Sequence, residues 1–268
     1  MCPTLKIESV DELKKICLKY KYDEVHKQTW ASRHLKRPVS IRITRLALIL
    51  GLSANQATVI SLLFGIGSGI CFIWPKPQIW LLGLLFIYLA QVFDCVDGEI
   101  ARYRKQASSE GRYLDVMVTY FMYPFLIACM SFGLYRILQS LLVFIVGFMA
   151  IIWINLVFVH TPLVHSIRYE QKLPYVAPKT ESGKGYAFVQ RAYKIAKAIL
   201  LTPSLQFIPQ FLLATVIDMV VETFMLAGLT VNARLIYLAI LAIGLLASAI
   251  TRYFAVRRYG VTVSVGAA

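Results

Sequence analysis

Charge is scarce in this sequence, and negative charge is scarcest. Only 16% of the 268 residues are Asp, Glu, Lys or Arg, and only 14 are acidic. Soluble domains carry about 25% charged residues, so a water-facing surface of the usual kind cannot be assembled from this chain. The 58% hydrophobic content excludes intrinsic disorder. The five cysteines (Cys2, Cys17, Cys71, Cys95 and Cys129) are scattered with no C-x-x-C pair, which excludes a disulfide scaffold. Internal repeats and low-complexity tracts are absent. With a mean hydropathy of +0.65, the composition is that of a polytopic membrane protein.

A spanning helix needs about 20 mostly apolar residues. Six runs qualify, near 56–74, 79–98, 114–134, 138–160, 206–228 and 233–254. Short turns at Pro75 to Pro77, Tyr135 to Arg136 and Gly228 to Arg234 join them pairwise. Of 28 Lys and Arg, these turns hold only Lys76, Arg136 and Arg234, and the other 25 fall on one side of a six-span chain. The positive-inside rule then places both termini and the long loops in the cytoplasm. The expected fold is an all-α integral membrane protein with six transmembrane helices. Residues 1–52 would form cytoplasmic and interfacial helices, and 53–268 the membrane domain.

The net charge of +14 follows from this topology. Anionic lipid headgroups explain it, and nucleic acid is not an expected partner. The first 40 residues are too polar for a secretory leader. Residues 41–52 mix Arg42 and Arg45 with Leu and Ile, and 186–201 are similarly basic and amphipathic; both read as interfacial anchors.

Five acids fall in or beside spans: Asp94, Asp97, Asp115, Asp218 and Glu222. A carboxylate at membrane depth costs several kcal/mol by most estimates, so it needs a partner or a task. Asp94 and Asp97 are three apart on one helix face, and Asp115 opens the next span after a tight basic loop. Three hard oxygen donors suit Mg²⁺ or Mn²⁺ rather than zinc, and magnesium sites commonly pair carboxylates with substrate phosphates. Small Gly98 and Ala101 let a ligand approach the backbone, and Arg102, Arg104, Lys105 and Arg112 offer partners for phosphate oxygens. The cluster reads as a metal-dependent phosphate site facing the cytoplasm.

The stretch Asp94-Cys-Val-Asp97-Gly98-Glu-Ile-Ala101-Arg102, eight residues, then Gly111-x-x-x-Asp115 resembles the signature of the CDP-alcohol phosphotransferase (CDP-alcohol phosphatidyltransferase) family. That signature is D-x-x-D-G-x-x-A-R, eight residues, then G-x-x-x-D-x-x-x-D. The run Pro38 to Thr58 is similar to the family's lead into span one, with Asn55 and Thr58 matching and Ala54 where proline is frequent. The resemblance implies transfer of a phosphoalcohol group from a CDP-alcohol to a hydroxyl acceptor, with release of CMP, in phospholipid synthesis. It implies Asp94, Asp97 and Asp115 as ligands of two divalent cations, and Asn55, Thr58, Gly98, Ala101, Arg102 and Gly111 around the nucleotide. It also implies a homodimer. The basic residues near the site favour an anionic acceptor.

The motif's last aspartate is replaced by Thr119. The resemblance makes that position both a metal ligand and the base for the acceptor hydroxyl. Threonine is a poor cation ligand and no base near pH 7, so the second metal should be weakened. Either no protein base is needed, or Glu99, Glu110, Asp218 or Glu222 substitutes, or the chain is a catalytically impaired relative that binds CDP-lipids without turnover. A secondary transporter using Asp218 and Glu222 is the remote alternative. His160 and His165 read as interfacial packing, and Gly65, Gly67 and Gly69 as a close helix contact.

Overall fold

The computed structural model describes residues 8–22, 32–106, 108–170, 207–221, 224–226 and 229–264. The chain divides into two compact units, Met1–Leu126 and Ile127–Ala268.

In the first unit, α1 (Val10–Tyr22) opens at Ser9, whose hydroxyl accepts the Glu12 N–H while the Glu12 carboxylate accepts the Ser9 N–H. A π-helical turn, Ser32–Lys36, runs into α2 (Arg37–Ile49). Helix α2 stops at Gly51, where φ is +73°; the Leu52 N–H returns to the Ala47 carbonyl and the Gly51 N–H to that of Leu48. That paired closure needs a left-handed residue, which glycine supplies without a steric penalty. Ser53 and Gln56 then form a capping box, and α3 (Ala54–Ile73) begins. Pro77 occupies the first turn of α4 (Pro77–Tyr103), where its missing N–H costs nothing. Helix α5 (Ser109–Leu138) crosses the boundary between the units.

Helix α3 has the pattern a bilayer demands. Val59, Leu63 and Ile70 are exposed, whereas Ser61, Gly65, Ser68 and Gly69 are buried. Ser61 and Ser68 donate to the Ala90 and Gly83 carbonyls of α4, each at 2.8 Å. Gly65 and Gly69 lie against Met122 and Phe125 of α5, so the expected close contact is present. Small residues inside and large apolar residues outside are how membrane helices pack without a hydrophobic drive between them. At the other end of α4, Leu13 and Cys17 of α1 join Ile41, Ala47, Leu48, Ala57, Val92, Val96 and Ile100 in one buried cluster. On α2, Arg42, Arg45, Leu46, Ile49 and Leu50 are exposed, as an interfacial helix requires.

The second unit contains the rest of α5, then α6 (Leu142–Glu170), α7 (Phe207–Val221), a hairpin of β1 (Phe224–Leu226) and β2 (Leu229–Val231), and α8 (Ala233–Ser264). The hairpin is antiparallel, with Phe224 opposite Val231. Helices α6 and α7 both pack on α8.

Among the described residues, five helices are long and apolar enough to cross a membrane: Ala54–Ile73, Pro77–Tyr103, Ser109–Leu138, Leu142–His160 and Ala233–Ile250. The protein is thus helical and multi-pass. The expected fifth span differs. Its described helix ends at Val221, and 224–226 is a strand instead of the helix expected through 228. The fifteen described residues of this helix rise about 22 Å. The expected anchor at 186–201, Glu222 and the side chain of His165 lie outside the described residues.

Candidate active site

The motif acids project from the last turns of α4 and the first turns of α5. Asp97 is buried, and its two oxygens have separate partners. One accepts the Thr58 hydroxyl of α3 at 2.7 Å, and the other the Gly98 N–H at 2.5 Å. Asp94, more open to solvent, accepts the Lys36 ammonium at 3.1 Å. Asp94 and Asp115 both act on Asp97 as like charges. On α5 the Thr119 hydroxyl donates to the Asp115 backbone carbonyl at 3.0 Å. Its hydrogen is thereby committed to the helix, and the position contributes no charge.

The glycines of the motif admit close neighbours. A Cβ on Gly98 would stand 3.1 Å from Arg102 Nη1, so the guanidinium lies over the bare backbone. A Cβ on Gly111 would come within 3.3 Å of Ser108 Oγ and 3.6 Å of Asn55 Oδ1, which places the start of α5 beside the start of α3. Arg102 is anchored from outside the motif: its Nε donates to the Cys17 carbonyl of α1 at 2.8 Å. Ala101 is half-buried and its carbonyl accepts the Gln106 N–H at the turn that ends α4. Asn55, Thr58, Asp97, Gly98, Arg102 and Gly111 are thus held by α1, α3, α4 and α5 of one unit.

Several residues that the sequence did not single out complete the site. Lys36 and Arg37, adjacent at the entry to α2, each take an acid on α4. Lys36 pairs with Asp94, and Arg37 Nη1 pairs with Glu99 Oε1 at 2.8 Å. Burial pulls the Lys36 pKa down, but the Asp94 carboxylate beside it outweighs burial and holds the ammonium above its ordinary value. The only local signal was a basic dipeptide ahead of an amphipathic helix, which reads as topology charge. Gln91, one turn before Asp94, is buried with no hydrogen-bond partner for its amide among the described residues.

Two proposed substitutes for the missing aspartate are otherwise employed. Glu99 is fully buried and accepts from Arg37, Ser40 (2.8 Å) and Thr44 (2.7 Å), so its oxygens are not open to a substrate's proton. Asp218 belongs to the second unit. It pairs with Arg234 Nε at 2.5 Å and accepts the Ala233 N–H at the start of α8, which is a structural role. Glu110 is exposed on the first turn of α5, and His160 is half-buried on α6.

The chemistry of Asp94, Asp97 and Asp115 fits a hard divalent cation. Among the described residues, however, no three His, Cys, Asp or Glu side chains are close enough to hold a metal ion as they stand.

The family pattern of the CDP-alcohol phosphatidyltransferases matches residues 52–208. Over 86 residues, 32% of this chain, the sequence is 37% identical to the bifunctional IPC transferase and DIPP synthase of Thermococcus kodakarensis. Over 91 residues it is 35% identical to the protein of that description from Archaeoglobus fulgidus. These matches span only 19% and 18% of the two relatives' lengths. The fold resembles the crystal structure of Mycobacterium tuberculosis phosphatidylinositol phosphate synthase with CDP-DAG bound. That likeness has a TM-score of 0.55 at 13% identity, covering 82% of this chain and 94% of the other. With more than half of its length matched, the motif in register and the fold shared, this chain belongs to the CDP-alcohol phosphatidyltransferase family.

Proposed function

We propose that the protein transfers a phosphoalcohol group from a CDP-alcohol to a hydroxyl acceptor and releases CMP. The observation that carries this reading is the grouping of Asp94, Asp97 and Asp115 with Gly98, Arg102 and Gly111 at one end of α4 and α5, in a chain of this family. In the reaction the acceptor oxygen attacks the phosphorus bearing the alcohol. The pyrophosphate P–O bond breaks, CMP takes the bond's electrons, and the acceptor proton leaves to solvent or to a base.

Asp94, Asp97 and Asp115 would hold Mg²⁺ or Mn²⁺, which when bound neutralises the pyrophosphate and stabilises the leaving CMP. Thr58 fixes the Asp97 carboxylate through its hydroxyl. The bare backbone at Gly98 lets the Arg102 guanidinium, pinned by α1, lie against α4, where it can take a phosphate oxygen of the nucleotide. The basic side chains at this end favour an anionic acceptor, and the bias of Lys and Arg puts the site at the cytoplasmic face. A homodimer is the proposed assembly.

A second reading rests on Thr119. With its hydroxyl hydrogen donated to the helix and Glu99 committed elsewhere, neither serves as the base, as expected of a CDP-lipid-binding relative without turnover. The test is CMP release by the full chain in lipid, with Mg²⁺ or Mn²⁺, across CDP-alcohols and acceptors, with Asp94→Asn in parallel. Release that depends on metal and on Asp94 supports the transferase. Binding of CDP-alcohols with no CMP released supports the second reading.

A further inference from the structure

Lys36 is a cation built into a site expected to bind cations. Its ammonium lies 3.1 Å from Asp94 Oδ2, and its side chain is only 14% exposed. On α5, the position where the motif has its last aspartate is Thr119, which brings no charge and donates its hydroxyl hydrogen to the Asp115 carbonyl.

These two features act in the same direction. Four carboxylates would carry four negative charges, a match for two divalent cations. Asp94, Asp97 and Asp115 with the Lys36 ammonium carry two, a match for one. A second dication would also have to approach a fixed positive charge at Asp94, and at short range in a partly dry site that repulsion is large. We infer that the carboxylate cluster of this chain takes a single divalent cation, with the Lys36 ammonium filling the electrostatic place of a second. Asp97, tied to Thr58 and the Gly98 N–H, is the fixed ligand, and Asp94 is shared between the cation and Lys36. The inference rests on the proposed metal site and says how that site is completed in this chain.

The experiment counts Mn²⁺ bound per chain. The full chain is placed in nanodiscs of phosphatidylcholine, which is neutral, and free Mn²⁺ is followed by electron paramagnetic resonance without nucleotide. The parent should bind one Mn²⁺, lost in Asp97→Asn. Lys36→Arg, which keeps the charge, should keep that count. Lys36→Met should bind Mn²⁺ at least about tenfold more tightly. The double variant Lys36→Met, Thr119→Asp should bind two. Two Mn²⁺ on the parent, both lost in Asp97→Asn, overturn this inference and leave the metal site standing. Unchanged or weaker binding by folded Lys36→Met also overturns it. Mn²⁺ binding absent from the parent and every variant, or indifferent to Asp97→Asn, overturns the metal-site reading itself. The parent's count needs no substitution, so the inference remains open to refutation even where Lys36→Met fails to fold.

Discussion

Arg37 and Glu99 form a buried ion pair at 2.8 Å, with the Glu99 side chain fully inaccessible and two hydroxyls, Ser40 and Thr44, on its oxygens. Glu99 falls between Asp97 and Arg102 of the motif, yet it faces α2. The pair therefore fixes the rotation of α4, and with it the direction in which Asp94 and Asp97 project.

Removing Arg37 strands a buried charge. Arg37→Met should destabilise the fold by about 3–5 kcal/mol, and the double variant Arg37→Met, Glu99→Leu should recover much of that loss. Thermal unfolding in detergent, with CMP release on the surviving fraction, checks both.

Thr58→Val keeps the shape of the side chain and removes the hydroxyl that Asp97 accepts. Leaving that carboxylate short of a partner should cost about 1–3 kcal/mol and lower CMP release, while Thr58→Ser should retain activity. The readouts are melting temperature and CMP release at saturating metal.

Thr119→Asp restores a carboxylate four residues after Asp115. Where proton removal limits turnover, CMP release should rise by about 10²–10⁴-fold, measured at fixed Mg²⁺ with one CDP-alcohol and acceptor pair. An unchanged rate in a folded, nucleotide-binding variant would show that the parent needs no base at this position.

The glycines of α3 should differ in tolerance. A Cβ at Gly69 would run into the ring of Phe125, whereas at Gly65 it would meet Met122 Sδ at 2.6 Å, the far end of a flexible side chain. Gly69→Ala should therefore cost about 1–3 kcal/mol and Gly65→Ala clearly less. Unfolding of the two variants side by side tests the order.

Cys17 links pH to the docking of α1. Burial, aided by the Glu99 charge, pushes its thiol from the ordinary 9.0 up to about 11. A raised acid pKa means the folded state favours the protonated form. The stabilisation is complete below pH 9.0 and is lost as pH rises toward about 11. Maleimide labelling of Cys17 in the native chain should stay slow to about pH 9 and accelerate above it. In Cys17→Ser that transition should vanish.

Much of the site was readable because its signals are local. Asp94, Asp97, Gly98, Ala101 and Arg102 lie within nine residues of one helix, so spacing alone predicts their shared end. Thr58 and Asn55 entered through the resemblance; in the structure the Thr58 hydroxyl donates to Asp97, and Asn55 lies beside Gly111. Lys36 was not legible as a site residue, because it stands 58 positions before its partner. Glu99 stood among four candidate substitutes for the missing aspartate, and its pairing with α2 was not legible, because which face of α4 meets α2 depends on a packing angle that periodicity does not contain.

The sequence by itself determined the membrane class, the four long spans before residue 171 and the end of α4 where the acids gather. Hydropathy over some 20 residues and spacing along a helix are properties of the chain taken a segment at a time. Tertiary structure decided how each acid is used. Lys36 took Asp94, Thr58 took Asp97, Arg37 took Glu99, and Arg234 took Asp218. It also ended the described helix α7 at Val221 and turned the chain through a hairpin into α8, where Asp218 meets the first N–H groups. A buried carboxylate must find a donor wherever the packed helices bring one, and sequence distance has no part in that choice.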